Sequence, residues 1–142
     1  MLSNAAIYAI RGLIYIASQN DRSTIPISEI SEKLNISFHF LTKIFQKFTS
    51  KNILSSNRGP KGGISFSRSP EKIYIFEVVD IVDGGGIFDK CVLGLPGCGE
   101  LEPCPMHDNW ARVKDDIKQQ FEETTIHDLA TKLSARNAIF RV

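Results

Sequence analysis

Apolar residues recur at helical spacing from the start of the chain. Ala6, Ala9, Ile10, Leu13, Ile14 and Ala17 form one stripe, while Ile7, Tyr8, Tyr15 and Ile16 carry apolar surface nearly all round. This predicts a helix capped by Ser3 that needs cover on more than one side. A central place in the core meets that need, and a second subunit could add to it. Polar residues 20–24 then make a turn. Ile27, Ile30 and Leu34 predict a short helix opened by Pro26, and Asn35-Ile36-Ser37 breaks it. Ser37 is a good cap for a third helix to about Ser50, with Phe38, Leu41, Ile44, Phe45 and Phe48 as its inward stripe. Two short helices joined by a three-residue turn make a helix-turn-helix.

Beyond it the period changes from helical to alternating. Ile53 to Asn57 and Ile64 to Ser67 alternate apolar with polar around Arg58-Gly59-Pro60-Lys61-Gly62-Gly63, which predicts a β-hairpin with a glycine-rich cationic tip. Ile75, Val78, Val79 and Val82 mark the inner side of a helix from Ile73 to Val82, ended by Asp83-Gly84-Gly85-Gly86. From about Asp108 to Thr124 a charged helix carries one narrow stripe of Trp110, Val113, Ile117 and Phe121, a pattern suited to helix pairing and hence to a homodimer. Thr125 and Asp128 form a capping box for a last helix bearing Ile126, Leu129, Ala130 and Leu133, with His127 in a surface or capping role. The fold expected is mainly α with a small β wing: a winged helix-turn-helix over 1–86, a Cys/His loop over 87–107, and a dimerisation helix with a C-terminal helix over 108–142.

Charge changes this picture. The net value over 142 residues is +1, but 38–72 carries +6 and the remaining residues −5. A basic segment joined to an acidic body suits a surface that meets phosphates. The outer side of the third helix offers Ser37 at its cap, then His39, Thr42, Lys43, Gln46 and Lys47, hydrogen-bonding and cationic groups of the kind that read base edges in the major groove. Arg58, Gly59 and Lys61 at the wing tip suit phosphate or minor-groove contact. A solvated face on an ordinary surface helix looks similar, and it is the basic wing after the helix-turn-helix that favours duplex DNA, with a palindromic operator if the protein is dimeric. A P-loop is excluded because the Walker spacing is missing. The apolar N-terminal run is interrupted by Arg11 and is too short for a membrane span, and no signal-peptide layout precedes it, so a cytoplasmic protein is expected.

All three cysteines lie in one segment, DKCVLGLPGCGELEPCPMHDNW, spaced Cys91-x6-Cys98-x5-Cys104-x2-His107. Thiolates and imidazole are soft ligands, which leaves three readings open. Structural zinc has the right ligand set but lacks the tight two-cysteine knuckle usual for it. An iron-sulfur cluster tolerates wider spacing. The third reading is a loop of ordinary cysteines, one of them redox-reactive. An iron-sulfur or redox enzyme finds little support, since Cys-x-x-Cys, a cofactor-binding βαβ unit and an evident acid-base pair are all missing. A protein-protein adaptor that uses the winged helix without DNA is a further alternative.

The motifs YAIRGLIYIA, ISEISEKLNISFHFLTKIFQKF, NRGPKGGISFS, EVVDIVDG and TTIHDLATKL, in this order around the Cys loop, resemble the IscR/NsrR-type winged-helix transcriptional regulators of the Rrf-two family over nearly the whole chain. The resemblance implies a homodimer with its recognition helix at Phe38 to Ser50 and its wing at Arg58 to Gly63. It also implies a transcriptional regulator, a repressor by expectation, whose iron-sulfur cluster reports iron-sulfur status, oxygen or nitric oxide. By that resemblance Cys91, Cys98 and Cys104 match the cluster cysteines, and His107 matches the fourth ligand of the IscR branch. NsrR-like members take an acidic ligand from the first helix instead, and the comparable positions here, Ile7 and Tyr8, cannot serve. A 2Fe-2S cluster is expected ahead of a 4Fe-4S cluster or zinc. The alternative is a regulator of the same family without a cluster, zinc-stabilised or thiol-redox controlled.

Overall fold

The first helix, α1 (Asn4–Ser18), is capped as its sequence predicts: the Ser3 hydroxyl accepts the Ala6 N–H at 3.0 Å. That serine also reaches across the fold, donating its N–H to Asp83 at 3.0 Å and its hydroxyl to the other oxygen of the same carboxylate. In the computed structural model the residues described are 2–89, 93 and 105–135. Along them follow α2 (Ile27–Leu34), α3 (Phe38–Ser50), β1 (Leu54–Asn57), β2 (Gly63–Phe66), α4 (Ile75–Asp83), α5 (His107–Glu123) and α6 (Ile126–Ala135), with short 3-10 turns at Pro70–Lys72 and Gly85–Phe88.

Much of the apolar surface of α1 is covered within the chain, since α2, α3, α4 and α6 all pack against it, while Ile7, Tyr8, Ile10 and Tyr15 are half-buried. Ala6, Ala9 and Leu13 are wholly buried. Gly12 sets the closest approach: a Cβ there would stand 2.7 Å from Cζ of Phe45, so only a glycine lets α3 lie this near.

Helix α2 stops at Asn35, whose left-handed backbone (φ 52°, ψ 50°) suits an asparagine better than most residues. Ser37 then caps α3, which buries Leu41, Ile44, Phe45 and Phe48. Phe38, expected on that inward stripe, is instead 45% exposed. It stands at the very start of the helix and at the margin of the stripe, where neither the preceding turn nor the core covers it.

The hairpin is antiparallel, with Leu54 opposite Phe66 and Asn57 opposite Gly63. Its second strand gains a partner on the other side: Ile25 and Ile64 exchange backbone hydrogen bonds of 2.9 and 2.8 Å. Gly63 permits this, since a Cβ would fall 2.5 Å from the Ile25 carbonyl oxygen.

Helix α4 begins two residues later than the pattern predicts because Ile73 and Tyr74 are used as an extended edge. Ile126 donates its N–H to Ile73 O, and Ile75 donates to Thr124 O, both at 2.9 Å. The capping box beside this junction is formed in both directions, Thr125 N–H to Asp128 at 3.1 Å and Asp128 N–H to Thr125 Oγ1 at 3.0 Å. These bonds, with Ile126 wholly buried and Ala130 nearly so, seat α6 on α1. Helix α5 buries no residue completely. It meets the body through Phe121, which takes the buried Phe88 edge-on at 5.5 Å, while Phe88 stacks on Phe76 at 5.3 Å and the Lys118 ammonium lies 5.8 Å from the Phe76 ring centre. Among the described residues no helix is long and apolar enough to cross a membrane.

Candidate nucleic-acid interface

The buried side of α3 fixes what its outer side displays. With Leu41, Ile44, Phe45 and Phe48 turned inward, His39, Lys43, Gln46 and Lys47 are all exposed on the opposite face. Ser37 is exposed at the cap, its hydroxyl oxygen accepting the Phe40 N–H at 3.5 Å. Thr42 is half-buried and donates its hydroxyl proton to Phe38 O at 2.8 Å, so it offers outward an acceptor oxygen and a methyl group.

The wing tip carries Arg58, Gly59 and Lys61, all exposed. It is a tight turn closed by the Gly62 N–H on Gly59 O at 2.8 Å. Gly59 has φ 104°, a value that strains any side chain, and a Cβ on Gly62 would fall 2.5 Å from Asn57 O. Both glycines are therefore required by the turn itself, which leaves Arg58 and Lys61 displayed at the tip.

Helix and wing are held by a segment that sequence reading treated only as polar turn material. Thr24 donates its hydroxyl to Lys61 O at 3.0 Å, and the next residue, Ile25, pairs with β2. The turn before Thr24 is itself fixed: Arg22 grips Glu29 with two hydrogen bonds of 2.7 and 2.9 Å, and the Tyr15 hydroxyl donates to the same carboxylate at 2.7 Å. Arg22, then Tyr15, hold the Glu29 carboxyl below the usual carboxylate range. Burial, followed by the Glu29 hydrogen bond, pushes the Tyr15 phenol up to about 12. Three residues in three different local elements leave no periodic signal. The hint available in the sequence is the opposite charge of Arg22 and Glu29 on either side of Pro26.

His107 is half-buried at the first position of α5. Cys91, Cys98 and Cys104 lie outside the described residues. The donor set, three thiols and an imidazole within one segment, fits an iron-sulfur cluster and also fits zinc. On α5, Trp110, Ile117 and Phe121 are half-buried and Val113 is 48% exposed.

The arrangement matches known proteins. The Rrf2 family model, described as an iron-dependent transcriptional regulator, matches residues 2–132. A putative HTH-type transcriptional regulator of Aquifex aeolicus is 30% identical over 131 residues, covering 91% of this chain and 90% of that protein. The HTH-type transcriptional regulator IscR of Xenorhabdus nematophila is 27% identical over 128 residues, 90% of this chain and 77% of that protein. Among solved structures, CymR (YrzC), the global cysteine regulator of B. subtilis, superposes with a TM-score of 0.76 at 21% identity, covering 93% of this chain and 97% of that one. T. potens IscR does so with 0.77 at 16% identity, covering 99% and 93%. These likenesses confirm the mainly helical winged fold.

Proposed function

From the premise that the chain belongs to the Rrf2 family of transcriptional regulators, and is a DNA-binding regulator rather than an enzyme, we propose that it acts as a homodimeric repressor. In this reading α3 enters the major groove of each half of a palindromic operator, and Arg58 and Lys61 engage the neighbouring backbone. The observation that carries the reading is the exposed polar and cationic face of α3 held beside a cationic wing by the Ile25–Ile64 pairing. Pairing of two chains through α5 is supported by a stripe that a single chain leaves partly open, with Val113 at 48% exposure.

We further propose that Cys91, Cys98, Cys104 and His107 hold an iron-sulfur cluster, of the 2Fe-2S type ahead of 4Fe-4S, that controls DNA affinity. Support comes from the donor set and from the place of His107 at the head of α5. When bound, such a cluster supplies a centre that oxygen and nitric oxide attack and that is lost when cluster supply fails. The part played by this chain is to tie the loop to α5 through His107. Control then requires two conformations of different DNA affinity, since a ligand that binds both equally shifts nothing.

Anaerobic purification, visible absorption and analysis for iron, sulfide and zinc test the cofactor. Coloured protein with iron and acid-labile sulfide, lost in Cys98→Ala and Cys104→Ala, is expected. Colourless protein with stoichiometric zinc, or metal-free protein whose DNA binding is unaltered by those substitutions, would sink the cluster while leaving DNA binding intact.

A further inference from the structure

Phe38 is a large apolar side chain left 45% exposed at the first residue of α3. Phe40, next in exposure on that helix at 39%, is covered edge-on by Tyr8 at 5.9 Å. The ring next to Phe38 is that of His39, 5.7 Å away at 76°, itself on the outer face. The backbone beneath is fixed at two points: Thr42 Oγ1 donates to Phe38 O at 2.8 Å, and Ser37 caps the turn. The phenyl ring is thus displayed from an ordered helix start.

By helical spacing Phe38, Thr42 and Gln46 follow one another on successive turns along one margin of the outer face. Each base edge in the major groove offers hydrogen-bonding groups, and thymine alone adds an apolar mark, its C5-methyl group, against which phenylalanine and the threonine methyl pack. An exposed aromatic ring at the head of the helix that also carries Lys43, Gln46 and Lys47 adds nothing to contact with phosphates, but it matches that methyl. We propose that Phe38 is a specificity-determining residue that reads the C5-methyl of a thymine in the major groove. This rests on α3 being the helix that enters the groove.

The test uses the full chain and a duplex selected from a random-core library. Each thymine of the selected duplex is replaced in turn by deoxyuridine, which removes the methyl and nothing else, and affinity is read by fluorescence anisotropy. At one thymine per half-site the wild type should bind about fourfold more weakly per methyl lost, the equivalent of about 0.8 kcal/mol for one buried methyl-sized group. In Phe38→Ala the ratio of thymine to uridine affinities at that position should fall to about one. The proposal fails if every thymine can be replaced without loss in the wild type, or if Phe38→Ala keeps the wild-type ratio. Should the alanine variant fold poorly, Phe38→Gln, of similar length and polar, carries the same comparison, and an unchanged ratio there is equally fatal. If Lys43→Ala/Lys47→Ala binds the selected duplex as tightly as the wild type, the placing of α3 in the groove fails with it, whereas a uridine scan without effect alongside a weakened lysine variant overturns the role of Phe38 alone.

Discussion

Removing cations from α3 and the wing should change how steeply DNA binding depends on salt. Lys43, Lys47, Arg58 and Lys61 are exposed on the proposed reading side, four cations per chain and eight in a dimer. If each neutralises one phosphate, the slope of log K against log salt is about −7, taking about −0.9 per phosphate. Raising salt from 50 to 200 mM would then weaken binding by about 10⁴-fold. Lys47→Ala/Lys61→Ala removes two cations per chain and four per dimer, so the slope should shrink to about −3.6 and the same salt change should cost only about 150-fold. Fluorescence anisotropy with a labelled duplex at several salt concentrations gives the slope, and Lys114→Gln/Lys132→Gln, which removes the same charge from α5 and α6, controls for net charge. A slope unchanged by the double substitution, in protein that still binds DNA, would refute the placing of these residues against phosphates. A wild-type slope near half the expected value would refute the eight-cation dimer footprint.

Gly12→Ala should lower the melting temperature, because the new Cβ at 2.7 Å from Phe45 Cζ overpacks the α1–α3 contact, a change that costs about 1–3 kcal/mol; an unchanged melting curve would show that the helices are not this close. Thr24→Val removes the hydrogen bond to Lys61 O and should weaken DNA binding several-fold with little change in melting temperature, whereas equal affinity would mean that the wing is positioned by β pairing alone. Stability should depend on pH through two groups of the Arg22–Glu29–Tyr15 network. Glu29 has a depressed pKa, so its contribution is present above the ordinary carboxylate range and is lost as pH falls through its folded value. Tyr15 is raised to about 12, so its contribution is present below the ordinary tyrosine value and is lost as pH rises toward about 12. Urea midpoints across pH should therefore flatten on the acid side in Glu29→Gln and on the alkaline side in Tyr15→Phe, and profiles that overlay the wild type would contradict both.

The elements that repeat a period were legible in the chain. The stripe Leu41, Ile44, Phe45 and Phe48 located α3, the Thr125–Asp128 pair located the start of α6, and alternation around the glycine-rich tip located the hairpin, because each signal is local and its partners lie within a few residues. What escaped depends on groups distant in sequence. The Ile25–Ile64 pairing converts a polar turn into a third strand-like edge, and no pattern in residues 20–25 announces it. The use of Ile73 and Tyr74 as an edge for Thr124–Ile126 delays α4 and brings α6 into the core beside α1. Phe38 fits the apolar repeat of α3 as well as Leu41 does; its exposure follows from its place at a helix end, which periodicity does not weigh. For the site, residue types and spacing pointed to Lys43, Gln46 and Lys47 on the outer face, while the clasp from Thr24 and its support by Arg22, Glu29 and Tyr15 became visible only in three dimensions. The cysteine positions 91, 98 and 104 were singled out by chemistry and fall outside the described residues.

A ligand at His107 can alter operator affinity only through an element whose position it changes at modest cost. Helices α1, α3, α4 and α6 share one buried core, in which Ala9, Leu13, Leu41, Val78 and Ile126 are fully excluded from solvent. Shifting any of them against another would open apolar surface, at about 25 cal/mol for each Å² exposed. Helix α5 buries no residue completely; Phe121 meets Phe88 of the 3-10 turn Gly85–Phe88, and Lys118 lies over Phe76 of α4. Its junction with α6 is two residues, Thr124 and Thr125, tied to the edge before α4 by the Ile75 N–H on Thr124 O and the Ile126 N–H on Ile73 O. As the described helix with no fully buried residue, α5 can change its inclination while opening the least core surface, and in the proposed dimer that change would respace the two reading heads. Substituting Lys118 and Phe121 should on this reasoning alter the difference in DNA affinity between metal-loaded and metal-free protein more than it alters melting of the core.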